Sequence, residues 1–217
     1  MIQHLYACCL KMSTQLIGDD LYPLTTPYQT GYLKTNGHQI YYEISGNPEG
    51  PAALFLHGGP GGGTSARDRC FFNPEHYRIV LMDQRGSGQS IPNASKDYGG
   101  ALFNNSTQYL IDDIEVLRKE ISVDQWQLIL GGSWGSTLAI AYAEQHPNQC
   151  KQLLLRGVFT ALPDEIDALF QNGTTANHYP EEWDQYTSYI QKTSQNWNLE
   201  KQNLLAAYQR RLFDPSE

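Results

Sequence analysis

No stretch of the 217-residue sequence approaches the ~18 apolar residues of a membrane-spanning helix, which argues against a membrane partner. The opening MIQHLYACCLKMS has a short apolar run but no basic residues ahead of it, so it does not read as a secretory leader. With Met12 close behind, residues 1–11 read as an extension or a disordered end, and residues 1–20 as an N-terminal extension without function. Cysteine is scarce: Cys8, Cys9, Cys70 and Cys150 form no CxxC pair and no His/Cys ligand spacing, which argues against a zinc site and a disulfide framework and for a reducing, cytoplasmic home. Basic residues are few and scattered, 15 Lys and Arg against 23 Asp and Glu, for a net charge of −8. Nothing builds a stripe for phosphates, which argues against nucleic acid as a partner. The phosphate and dinucleotide loops GxxxxGK[ST] and GxGxxG are absent, and so are internal repeats.

What the chain does have is punctuation. Its 19 glycines and 11 prolines cluster between apolar runs. The runs 39–45, 52–57, 78–83, 127–131 and 152–158 read as strands, and the later ones are continuous, as in parallel strands buried on both faces. The first two, joined by GNPEGP, suggest an edge hairpin. Between strands, 107–121 places Leu110, Ile111, Ile114, Leu117 and Ile121 on one helical face, with Ser106 or Thr107 as N-cap. A second helix follows Ser133 and stops near His146-Pro147. Alternating strands and helices predict a mainly parallel α/β sheet over 21–158, with ligands at the carboxyl ends of its strands. From Phe159 the strand pattern ceases, and helices near 163–171, 180–191 and 198–212 predict an all-helical segment over 159–217.

The stretch LILGGSWGS, 128–136, carries the chemistry. Gly131-Gly132-Ser133-Trp134-Gly135 has Gly-x-Ser-x-Gly spacing after a strand and before a helix. A serine at such a bend takes a strained conformation that lifts its hydroxyl above the sheet, and glycines at 131 and 135 remove side chains that would collide with the turn. Serine is also a common helix N-cap, and the pentapeptide alone leaves both roles open; the strand before it favours the nucleophile. Acyl chemistry at a serine generates an oxyanion that needs N–H donors. His57-Gly58-Gly59-Pro60-Gly61-Gly62-Gly63 also follows a strand; Pro60 has no N–H, which leaves Gly58 or Gly59 beside the N–H of Trp134. His57 reads as a structural hydrogen-bonding residue, and Asp83 and Arg85 of DQRGSGQS as braces between loops.

Together, HGGPGGG at 57–63, DQRGSGQS at 83–90 and GGSWGSTLAIAYAEQHP at 131–147 resemble the proline iminopeptidases, serine peptidases of the α/β-hydrolase fold. GYLKTNGHQIYYEISGNPEG and LLLRGVF at 153–159 resemble the same family. The resemblance implies release of N-terminal proline from small peptides without metal or organic cofactor. It assigns Ser133 as nucleophile, Trp134, Gly58 and Gly59 as the oxyanion-hole backbone, and Phe159 onward as the start of a helical cap. In that fold the triad runs Ser, Asp, His, the last two carried after the final strands. Only one strand follows Ser133, so the expectation is an N-terminal portion of the fold without acid or base, and without the cap glutamates that hold the substrate amine. His146 lies 13 residues along the nucleophile helix, ~20 Å from Ser133, too far to be the base. His178 belongs to the helical segment and reads as packing or solvent-facing. An esterase or amidase of the same fold, or an inactive truncated chain, are the alternatives.

Overall fold

The computed structural model describes residues 21–171 and 173–213. The expected N-terminal extension, Cys8 and Cys9 lie outside them. The described chain forms two compact units that divide between Val158 and Phe159.

The first unit is built on a six-stranded sheet of order β1-β2-β4-β3-β5-β6. Its strands are β1 (Gln29–Thr35), β2 (His38–Gly46), β3 (Ala52–Leu56), β4 (Arg78–Met82), β5 (Leu128–Gly132) and β6 (Leu153–Arg156). β3 pairs in parallel with β4 and β5, and β5 with β6, while β1–β2 and β2–β4 are antiparallel. The sheet is therefore mainly parallel, as the strand and helix alternation predicts.

The expected hairpin between the first two runs is not there. β4 lies between β2 and β3, and β2 instead makes its hairpin with β1 through Asn36-Gly37, whose φ values of 44° and 87° make a tight two-residue turn. The reason is burial: Ile40 through Ser45 are all buried, so β2 is covered on both faces and flanked on both edges. β1 escaped the sequence reading because only Leu33 of its seven residues is buried, too little for an apolar signal.

One face of the sheet, including Leu54, Leu56, Val80, Met82 and Ile129, packs on α2 (Thr107–Glu120) and α3 (Trp134–Gln145) through Leu110, Ile111, Ile114, Leu117, Leu138 and Tyr142. The alternate residues Ala53, Phe55, Ile79, Leu81 and Leu130 form a second cluster with Phe72 on the other face. A short α1 (Tyr98–Leu102) precedes α2, whose N-cap is Ser106. β6 departs from the expected strand buried on both faces: Leu153 and Leu154 are 38% and 48% exposed, because no strand pairs with its outer edge among the described residues.

The second unit holds α4 (Pro163–Phe170), α5 (Thr174–His178), α6 (Pro180–Thr193), α7 (Trp197–Glu200) and α8 (Leu204–Leu212). Ile190, Leu204 and Ala207 are its buried apolar residues, beside stacked Tyr186 and Tyr208 rings 4.7 Å apart. The single helix expected over 198–212 is broken in two because the Asn203 side chain accepts the Ala206 N–H and starts α8 afresh. Glu200 accepts from both Arg210 and Arg211.

Candidate active site

Ser133 stands between β5 and α3 with φ 54° and ψ −121°, a left-handed conformation that costs a non-glycine residue ~1–3 kcal/mol. The turn closes through hydrogen bonds from the Ser133 N–H to the Arg156 carbonyl and from the Ser136 N–H and hydroxyl to the Ser133 carbonyl. Two glycines make it sterically feasible. A Cβ at Gly131 would strike the Gly135 carbonyl, and one at Gly135 would strike the Leu56 carbonyl of β3. The serine is exposed, and its side chain makes no capping hydrogen bond to α3. That removes the N-cap role and leaves a free hydroxyl at a helix N-terminus, where the dipole favours developing negative charge.

The 57–63 loop comes directly against this bend. A Cβ at Gly58 would fall 2.9 Å from the Gly132 carbonyl oxygen and 3.3 Å from the Ser133 Cβ, so only glycine fits. Gly59 has φ +120° and is exposed. Trp134 opens α3, so its N–H has no acceptor within the helix. The structure thus brings Gly58, Ser133 and Trp134 into one place, with Gly59 next in the chain.

His57 is 2% exposed, and both of its ring nitrogens have partners in the surrounding loops. Its Nε2 accepts the Gln84 N–H at 3.0 Å, with the Ser87 hydroxyl at 3.2 Å. Nδ1 lies 2.9 Å from the Gly58 carbonyl and 3.2 Å from the Gly63 N–H; the shorter contact needs a proton on Nδ1. Burial pushes its pKa below the ordinary histidine value, which keeps the ring neutral. Asp83 ties the loops together by accepting from the Thr64 N–H and hydroxyl and from the Gln89 N–H. Arg85 makes a fully buried bidentate pair with Asp113 of α2 and donates to the Asn104 carbonyl. Gln84 was assigned no role by its motif, yet its buried amide donates to the His57 carbonyl and accepts the Trp134 indole N–H, both at 2.8 Å.

The remaining described histidines of this unit are engaged elsewhere. His38 Nε2 contacts the Phe103 carbonyl, His76 packs on Tyr77, and His146 caps the far end of α3 against Tyr142. His178 closes α5 in the helical unit. Among the described residues no three His, Cys, Asp or Glu side chains cluster to hold a metal, and no helix is long and apolar enough to cross a membrane.

The sequence profile of the alpha/beta hydrolase fold matches residues 51–214. The chain belongs to the α/β-hydrolase fold family. Within it, this α/β hydrolase is 43% identical to a proline iminopeptidase of Xylella fastidiosa over 91% of this chain and 59% of that protein. It is 45% identical to one of Arabidopsis thaliana, over 88% and 47%, and 42% identical to one of Neisseria gonorrhoeae, over 91% and 60%. It therefore spans about half to three fifths of the length of these curated relatives. A Vigna radiata epoxide hydrolase mutant shares the fold at TM-score 0.52 and 24% identity, over 75% of this chain and 46% of that one.

Proposed function

We propose that this α/β hydrolase is a serine exopeptidase that releases N-terminal proline from small peptides, with Ser133 as its nucleophile. The observation that carries the reading is the exposed, uncapped Ser133 hydroxyl at positive φ, with the glycine loop packed against it. Similarity to the three proline iminopeptidases supports the substrate. In this reading the Ser133 oxygen attacks the prolyl carbonyl while its proton passes to a base. The oxyanion is held by the N–H groups of Trp134 and of Gly58 or Gly59. The proton then goes to the departing amine of the shortened peptide, and water hydrolyses the prolyl-serine ester to free proline.

In this reading the base and its orienting acid come from outside the described residues, a view supported by the engagement of His38, His57, His76 and His146 with other partners. Residues 159–217 are, in the same reading, an incomplete helical cap segment. Cys70 and Cys150, the free cysteines among the described residues, fit a cytoplasmic home. Peptides are the partners, with no role for nucleic acid, membrane or cofactor.

The test compares prolyl, alanyl and ester chromogenic substrates on two forms. One is this chain alone; the other is this chain fused to the remaining C-terminal segment of the Neisseria gonorrhoeae relative. The chain alone should run ~10⁴ to 10⁶ below the completed form, as proteases do without their triad partners. The completed form should cleave prolyl amides and take a fluorophosphonate label at Ser133, and S133A should lose both. Turnover of esters but not of prolyl amides would replace the exopeptidase with an esterase, and full activity in S133A would remove Ser133 from the chemistry.

A further inference from the structure

We infer that Gln84 is a positioning residue, a side-chain strap that sets the spacing between the oxyanion loop and the nucleophile bend before any substrate arrives. The inference rests on the proposed acyl chemistry at Ser133. The amide of Gln84 touches the two segments that must cooperate: its Nε2 donates to the carbonyl of His57, immediately before Gly58, and its Oε1 accepts the indole N–H of Trp134, immediately after Ser133. Both bonds are 2.8 Å long, and the residue is 2% exposed, with its bond to the His57 carbonyl buried and its bond to the Trp134 indole half-buried. The Gln84 backbone is itself held, its N–H donating to His57 Nε2 at 3.0 Å. A third bond, from the Gly62 N–H to the Gly58 carbonyl at 3.1 Å, closes the loop on itself. A donor and an acceptor on separate atoms of one rigid planar group fix two distances at once, which an ionised carboxylate, an acceptor only, cannot do. Oxyanion donors are effective to the extent that they are already in place, so the strap acts on the transition state and not on substrate affinity.

Hydrogen exchange of the ¹⁵N-labelled full chain tests this directly. In Q84A the Trp134 indole N–H and the Gly62 amide should each exchange at least about tenfold faster, while α2 amides such as Ile114 keep their wild-type rates. Q84E supplies a signature that general loosening cannot mimic. Protonated, as burial favours, its carboxyl can make both bonds. Ionised, it still accepts the indole N–H but cannot donate to the His57 carbonyl, so across a pH series protection should persist at Trp134 and be lost at Gly62 as that carboxyl ionises. In a form that turns over, Q84A should lower kcat about 10- to 100-fold with KM within about twofold. The strap is overturned if Q84A leaves both protected sites unchanged, if α2 loosens in step with them, if Q84E lowers protection at the two sites equally, or if KM rises while kcat holds. A Ser133 that resists fluorophosphonate while the exchange pattern appears as described would fail the proposed chemistry and leave the strap standing.

Discussion

At the scale of single residues, the bend at Ser133 works because of what its neighbours lack. Gly131 and Gly135 sit where a single carbon would meet backbone carbonyls, and backbone cannot rotate out of the way as a side chain can. G131A and G135A should each lower unfolding free energy by at least about 2 kcal/mol in urea titrations, as overpacking at rigid sites does. Gly99, whose added Cβ would meet nothing within 4 Å, is the control: G99A should change stability by less than about 1 kcal/mol. Equal losses at 99 and 131 would mean the clash argument is wrong. This part of the site was legible in the sequence because the steric demand is local, written in five consecutive residues. Gln84 was not, because its two partners lie 27 and 50 positions away and nothing in DQRGSGQS reveals which groups the amide will meet.

Among the elements, the contact between α2 and α3 rests partly on charge. Glu115 of α2 forms a bidentate pair with Arg118 and accepts the Tyr142 hydroxyl of α3 at 2.6 Å. Arg118 first, and Tyr142 with it, draw the Glu115 carboxyl down from 4.5 to about 2, against the opposing effect of burial. A carboxyl lowered on folding binds its proton more tightly in the unfolded chain. Its stabilisation is therefore complete above about pH 4.5 and is lost as the pH falls toward 2. Urea midpoints measured between pH 6 and pH 2.5 should fall less steeply for E115Q than for the parent chain, and parallel curves would show that the carboxyl titrates normally. The helix itself was legible from its apolar period, since Leu110, Ile111, Ile114 and Leu117 are all buried. The strand order was not. Two apolar runs joined by a glycine and proline turn look alike whether they pair with each other or admit β4 between them, and only the burial of both β2 faces distinguishes the cases.

For the molecule as a whole, the two edges of the sheet face different fates. β1 shows solvent mostly polar residues, with Gln29, Thr30 and Lys34 exposed, and lysine on an edge discourages pairing with another chain. β6 is less guarded: Leu153 and Leu154 are exposed on successive positions, Arg156 is its one exposed charge, and its outer backbone groups have no ladder partner among the described residues. Val158, 54% exposed, continues the apolar surface just beyond the strand. An unpaired apolar edge is a template for strand addition, and the net charge of −8 opposes association only through screened, long-range repulsion. The chain alone should therefore self-associate with rising concentration, more strongly as salt screens that repulsion. Placing lysine at 154 should set a charge on the edge and return the monomer, whereas K34A on β1 should leave the behaviour as it is in the parent chain. Sedimentation velocity at about 50 mM and 500 mM salt separates the cases. A parent chain that stays monomeric at both, or a Leu154→Lys variant that associates as the parent does, would show that β6 is not the surface through which copies meet.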